Sequence, residues 1–323
     1  IYNGCDFLEI ITKPFPSALS IQNLDVFRYW DIKSSTTIHS VINKIGNDYF
    51  KNIVWRSNPP IPNLSGNSLV LTIGNPAPLY DSKYDITITN PFGRALTSET
   101  PLMTAKAAKA DFTLYVDKEG NNTWTEGDNG EALLGIKFDT KSINADSVYW
   151  KILNDPDLLK KGGDSILFNQ GYKISEGIDI IPNDKLVPGQ FPVKHLAYNS
   201  TSGCLDSMTI IVEVDSSDIF PGAIPNVFIP NGEHEDNRYF KIKEPEDNVK
   251  SIKSFKVSIF SRQGLLVYSY SGDPKSWEGW DGKIDRSNRD APAGIYYFII
   301  EAKGWDNRTF KRGPYKGFVY LYR

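Results

Sequence analysis

Residues 257–267 set a period of two around a turn. Val257 and Ile259 precede a polar Ser261-Arg-Gln-Gly264 connection, and Leu265 and Val267 follow it. Alternation on both sides of a tight turn predicts two half-buried antiparallel strands and cannot build a helix face. Farther on, Pro292 and Gly294 punctuate the entry to Ile295-Tyr-Tyr-Phe-Ile-Ile300, a β-branched and aromatic run suited to a strand. In the closing run, Gly317, Val319 and Leu321 share one face of an extended chain and Phe318, Tyr320 and Tyr322 the other. The last hundred residues therefore predict a small all-β sandwich.

The rest of the chain agrees. With 17 Tyr and 20 Pro against 2 Met, the composition favours short strands and many turns over helices. A length of 323 residues exceeds one ordinary sandwich and fits two or three domains of about a hundred residues each. The expected fold class is all-β: three consecutive antiparallel β-sandwich domains at 1–104, 105–217 and 218–323.

Charge excludes some partners. Residues 218–323 hold 17 Lys and Arg against 14 Asp and Glu, and the remainder holds 19 against 25. Values this small, with the basic residues scattered, speak against nucleic acid. No apolar run is long enough for a membrane-spanning helix. The chain starts at Ile1 without an initiator Met, so the expectation is a processed protein or a fragment, any signal peptide having gone. Cys5 and Cys204 are neither a disulfide framework nor a zinc site, which needs about four ligands in paired clusters. Either they join the first domain to the second, or Cys5 pairs with a segment upstream.

The ordered pieces of the last third resemble the gliding-motility-associated C-terminal domain, the type B sorting domain of cargo of the Bacteroidetes type IX secretion system. The match runs through Pro225, Asn226, Phe228, Pro230, Asn231, Gly232 and Phe240, then Ile259, Phe260, Arg262 and Gly264. Trp280, Asp281 and Gly282 follow, then Pro292, Gly294, Tyr296 and Tyr297, and finally Lys316, Gly317, Leu321 and Arg323. The departure is the family's GDG-x-ND loop, here Glu233-His234-Glu235-Asp236-Asn237. The resemblance implies export to the cell surface or medium, with the outer-membrane export machinery as partner. The face carrying Phe318, Tyr320 and Tyr322, with Lys316 and Arg323 at its ends, is the expected docking surface.

Two weaker resemblances precede it. In Asp81 to Ala95, Asp81, Tyr84 and the alternation Tyr84, Ile86, Ile88 before an Asn90-x-x-Gly93 hairpin resemble the tyrosine corner of an immunoglobulin-like domain, with Trp55 as its buried tryptophan. Phe138, Ser142, Asn144, Ala145 and Trp150, then Gly189, Phe191, Val193, Gly203 and Cys204, resemble polycystic-kidney-disease-type (PKD-like) modules. Pro101 to Lys109, small, basic and without alternation, reads as the linker between them.

Sites for chemistry are sparse. Asp117, Glu119, Asn121 and Asp128 place oxygens near calcium-loop spacing, but the glycine stands at 120 instead of 122, and a solvated hairpin accounts for the loop equally. No other cofactor is expected. His195 falls in phase with Phe191 and Val193, where a hydrogen-bonded core histidine is the first expectation. No nucleophile elbow, metalloprotease helix or phosphate loop is present, so catalytic residues are none. Trp277, Trp280 and Trp305 are candidates to stack on sugars; Trp280 also belongs to the sorting motif, where packing is its reading, and Trp305 in a hairpin turn is the better surface candidate. The functional expectation is a non-enzymatic surface or secreted adhesin or spacer with an export address; a glycan-binding protein and an accessory part of a larger surface enzyme are the alternatives.

Overall fold

The computed structural model describes residues 1–12, 26–30, 38–42, 52–62, 64, 68–89, 95–160, 164–176, 181–182, 185–285, 287, 289–309 and 315–323. It is all-β, and three hydrophobic core clusters follow one another along the chain among the described residues.

In the first cluster, the sheet Asn52–Asn58, Lys83–Thr89, Ala95–Glu99 faces the sheet Tyr2–Asn3, Phe7–Ile11, Val70–Gly74. Leu8, Ile10, Ile53, Trp55, Leu71, Tyr84, Ile86 and Ile88 fill the space between them. Trp55 lies directly across from Ile86 and its indole N–H donates to the Ser68 carbonyl at 2.9 Å. Tyr84 is 1% exposed, its hydroxyl buried with it near Ser82. The expected tyrosine-corner residue is thus a core tyrosine, and among the described residues no backbone group accepts its hydroxyl. The Asn90 to Gly93 turn lies outside the described residues.

The second cluster sits between the sheet Thr125–Glu126, Phe112–Asp117, Gly135–Thr140 and a five-stranded sheet built on Ser147–Leu153, Gly189–Asn199 and Cys204–Val214. Trp150 is fully buried, stacked on Phe138 with ring centroids 4.7 Å apart and on His195 at 3.9 Å.

The segment expected as a free linker is packed. Ala105, Ala107, Ala108 and Ala110 are buried, and the Asn144 amide donates to the carbonyls of Ala105 (3.1 Å) and Ala107 (2.7 Å). Ser202 Oγ donates to the Lys106 carbonyl. Small side chains let this strip lie flat against the second unit. That close fit is a use of alanine that a search for alternation misses.

The third cluster has one continuous sheet, ordered Val227–Phe228, Tyr315–Leu321, Gly294–Gly304, Ile252–Phe260, Leu266–Gly272. The first pair is parallel, and the others are antiparallel. Its opposite layer consists of short pieces: Asp218–Ile219 with Val249–Lys250, Phe240 bridged to Trp280, and Lys283–Ile284 with Arg289–Asp290. Leu265 departs from the expected phase. A bulge between Ile259 and Phe260 shifts the register so that Phe260 meets Leu266 and Ile259 meets Tyr268, leaving Leu265 68% exposed while Val267 stays buried.

Covalent and polar links join the units. Cys5 and Cys204 form a disulfide with Cα atoms 5.5 Å apart, closing 199 residues of chain. Between the second and third units, Ser251 is the hub: its Oγ donates to the Asp215 carbonyl and accepts from Ala132 N–H, and its own N–H donates to Glu131. Glu131 also pairs with Lys275 at 2.8 Å. No helix among the described residues is long and apolar enough to cross a membrane.

In the chain-entropy picture a loop this long is stabilised by about 5 kcal/mol when closed. Replacing Cys204 by Ser should therefore lower the calorimetric transitions of the first two units and leave that of the third in place.

Candidate functional site

The residues of the sorting motif divide by what they touch. One group makes the core. Trp280 is fully buried, with Tyr296 edge-on at 4.9 Å and Phe228 tilted at 5.2 Å, and its indole N–H donates to the Lys283 carbonyl at 2.7 Å. A tryptophan buried with its N–H satisfied brings a large apolar surface at no polar penalty. Phe240 and Leu321 close the same cluster. Trp277 is buried as well, donating to the Tyr268 hydroxyl at 3.0 Å. Stacking on sugar is therefore overturned for Trp277 and Trp280. Trp305 stays half-buried, with the Lys253 ammonium over its ring at 4.9 Å.

A second group shapes turns. Asp281 Oδ1 accepts the Lys283 N–H, and Gly282 follows with φ +80°, where an added Cβ would lie 2.8 Å from Pro230 and 3.0 Å from Leu321. Only glycine meets both demands. Gly317 answers a different one: a Cβ there would sit 2.4 Å from the Phe298 ring, which fills that place in the core. The Pro225-Asn226 end feeds the parallel pairing, in which Tyr320 N–H donates to Asn226 and Tyr322 N–H to Phe228. Pro230, Asn231 and Gly232 make a turn in which Gly232 N–H returns to the Ile229 carbonyl and Arg238 Nε donates to Gly232. Tyr296 donates its hydroxyl to the Pro292 carbonyl at 2.8 Å.

Arg323 belongs with this group, not with the docking surface. Its guanidinium donates to the Ala291 carbonyl (3.1 Å) and the Gly282 carbonyl (2.9 Å) and pairs with Asp290 at 3.1 Å. The final residue thus ties together the Trp280-Asp-Gly turn and the Pro292 turn.

What remains faces outward. Phe318 is 49% exposed, Tyr320 37% and Tyr322 54%, whereas Val319 and Leu321 are buried. Register places Tyr297 beside Phe318, and Ile295 and Val227 on either side of Tyr320. Lys316 is exposed at one end of this stripe. Around the Ser261 to Leu265 turn and the Pro292 to Tyr296 segment lies a groove of about 500 Å³ lined by Arg262, Leu265 and Gly294 among others.

The loop that departs from the family pattern folds as a short turn at Glu235–Asn237 with exposed carboxylates, and the Asn237 carbonyl accepts the Ile229 N–H. In the second unit, the Asp117 carboxylate is buried and accepts the N–H groups of Asn121 (3.2 Å) and Asn122 (3.0 Å), while the Asn121 amide donates to Glu119. The loop is thereby organised around its own carboxylate. Asp128 lends its carbonyl to Glu213 N–H. No group of three or more His, Cys, Asp or Glu able to hold a metal occurs among the described residues.

His195 is fully buried between Trp150 and Phe112, with Nε2 2.7 Å from Ser142 Oγ. Burial pushes its imidazole down to about 4, against the opposing pull of Asp111 and Asp206. It is a core group, as its strand phase indicates.

Residues 222–321 match the family model described as the CHU_C type IX secretion signal domain. Such a signal domain indicates export to the cell surface or extracellular space. Among solved structures, the chain is similar to a tetra-tandem repeat in the extending region of a large adhesion protein. Identity there is 14%, with 84% of this chain and 66% of the other covered and a TM-score of 0.25. It is also similar to the FN1–FN3 domains of chicken CNTN1 (9% identity, 100% and 97% covered, TM-score 0.26). A third is a 1.5-MDa bacterial ice-binding adhesin, from a structure addressing its host cell surface retention (11% identity, 83% and 85% covered, TM-score 0.24). At these TM-scores the chains do not superpose as wholes. A comparison with curated proteins returns no match.

Because the folded His195 resists protonation while the unfolded one accepts a proton from its ordinary 6.5, its stabilising effect is complete above pH 6.5 and declines toward pH 4. Between pH 7 and pH 4.5 that decline is about 2–3 kcal/mol, and His195→Gln should remove this part of the pH dependence in denaturant titrations. Replacing Arg323 by Ala should destabilise the third unit by about 2 kcal/mol through lost charge-assisted bonds, seen as an earlier third-unit melting transition, and Lys should not rescue the two-carbonyl contact.

Proposed function

We propose that this chain is a non-enzymatic surface protein of three sandwich units. Residues 218–323 serve as its export address, and 1–104 and 105–217 form an adhesive or spacing stalk. One observation carries the reading of the last unit: its core is complete without Phe318, Tyr320 and Tyr322, which nevertheless stand exposed in a row on its outer face. Exposed aromatic side chains next to one another mark contact surfaces more often than chance placement does. Recognition by the type IX machinery needs only such a displayed surface and no covalent chemistry from this chain.

The packed alanine strip, the disulfide and the Ser251 hub support a stalk whose units are held together in place of being strung on loose linkers. A binding role for the second unit is favoured by a concave patch of about 490 Å³ over Gly171, rimmed by Tyr149, Tyr198 and Leu205, a shape and lining suited to stacking on a sugar ring.

Deletion of residues 218–323 should leave the chain in the periplasm, measured by cell fractionation and protease shaving of intact cells. Delivery of the deletion product to the surface at the full-length level would remove the address reading. Signals on a glycan array from residues 1–217 would support binding over spacing, and a blank array would favour spacing.

A further inference from the structure

Once the motif residues that build the core and the turns are set aside, Arg262 has no structural task. It is exposed in the turn after Ile252–Phe260, and its guanidinium makes no hydrogen bond or ion pair with any described residue. It is also the one charged residue among the described residues that line the 500 Å³ groove. The remaining wall is apolar where it counts: Leu265 is 68% exposed on one side, Pro292 and Ile295 stand on the other, and Val267 lies beneath. Gly294 has no side chain to fill the space, and a Cβ built there meets nothing within 4 Å. The departure from simple alternation at Leu265 and the cation of Arg262 thus occupy one place.

An arginine beside apolar walls, with no acid among the described residues that line the groove, is complementary to a carboxylate carried next to an apolar side chain. Guanidinium also binds carboxylate through two parallel bonds, which fixes orientation as well as charge. The groove is continuous with the aromatic stripe, because Ile295 lines the one and lies beside Tyr320 in the other.

We infer that this groove receives an extended acidic segment of the export partner, its carboxylate on Arg262 and an adjacent apolar side chain against Leu265. The inference rests on the address reading and narrows it to one end of the sandwich. Removing one member of a desolvated charge pair commonly weakens binding by a factor of about ten to several thousand.

Surface delivery of the full chain, assayed by protease shaving of intact cells, tests it with Arg262→Glu, Arg262→Lys and Leu265→Asp beside the 218–323 deletion. Arg262→Glu and Leu265→Asp should each reduce the delivered fraction about tenfold or more, and Arg262→Lys should fall between them and the unchanged protein. Melting of the purified chains should be unaltered, since both side chains are exposed; if Arg262→Glu does lower it, Leu265→Asp decides. Normal delivery of Arg262→Glu and Leu265→Asp while the deletion is trapped overturns the groove and leaves the address reading standing. The groove is equally overturned if only a Phe318→Ser, Tyr320→Ser, Tyr322→Ser triple variant is trapped, which would place docking on the outer face. Delivery of the deletion itself overturns both.

Discussion

The third unit depends on the burial of Trp280. Its principal sheet has five strands, but the layer opposite is made of two-residue pairings and a single bridge, none of which has enough hydrogen bonds to hold itself. Trp280 supplies what that layer lacks: a ring packed against Phe228 and Tyr296, an N–H bonded to Lys283, and main-chain bonds in both directions with Phe240. Asp281 and Gly282 then turn the chain so that Gly282 meets both Ala291 and Arg323. The fold of the signal domain is a large side chain driven into a thin second layer, with the final residue tying down the ends.

This arrangement explains why the motif mixes residue types. Phe228, Phe240, Trp280, Tyr296 and Leu321 are buried, Gly282 and Gly317 stand where a Cβ would collide, and Arg323 satisfies loop carbonyls. What is left over, Arg262 and the outward aromatics, has no such internal duty. Exposure without internal partners is where recognition has room to act, whereas the buried members would reach a partner only through loss of the fold.

Much of this was legible in the sequence because period-two alternation is a direct image of a sheet with one buried face. Val257, Ile259, Val319 and Leu321 lie inside as that pattern predicts, and Phe318, Tyr320 and Tyr322 lie outside. The failures have physical causes. Leu265 is displaced by a bulge, which inserts a residue and so breaks the count. Trp277 lies outside any regular strand, so no phase could announce its burial. The alanine strip near 105 has no large side chains to betray its packing, and its ties are made by backbone carbonyls to Asn144 and Ser202. Arg323 looks like an exposed basic end, and its role appears only when the loops carrying Gly282 and Ala291 are brought beside it. The cysteine pairing likewise depends on a contact across 199 residues, which spacing cannot supply.

On the reading proposed above, the address is a folded surface and not a stretch of sequence. The most direct test is the delivery of full-length Trp280→Ala, scored as the protease-accessible fraction of the total on intact cells. A core truncation of this kind costs about 3–5 kcal/mol, yet leaves Arg262, Phe318, Tyr320 and Tyr322 in the chain. The account predicts retention inside the cell; delivery of this variant at the level of the unaltered protein would mean that the export machinery reads the linear sequence, and would contradict it.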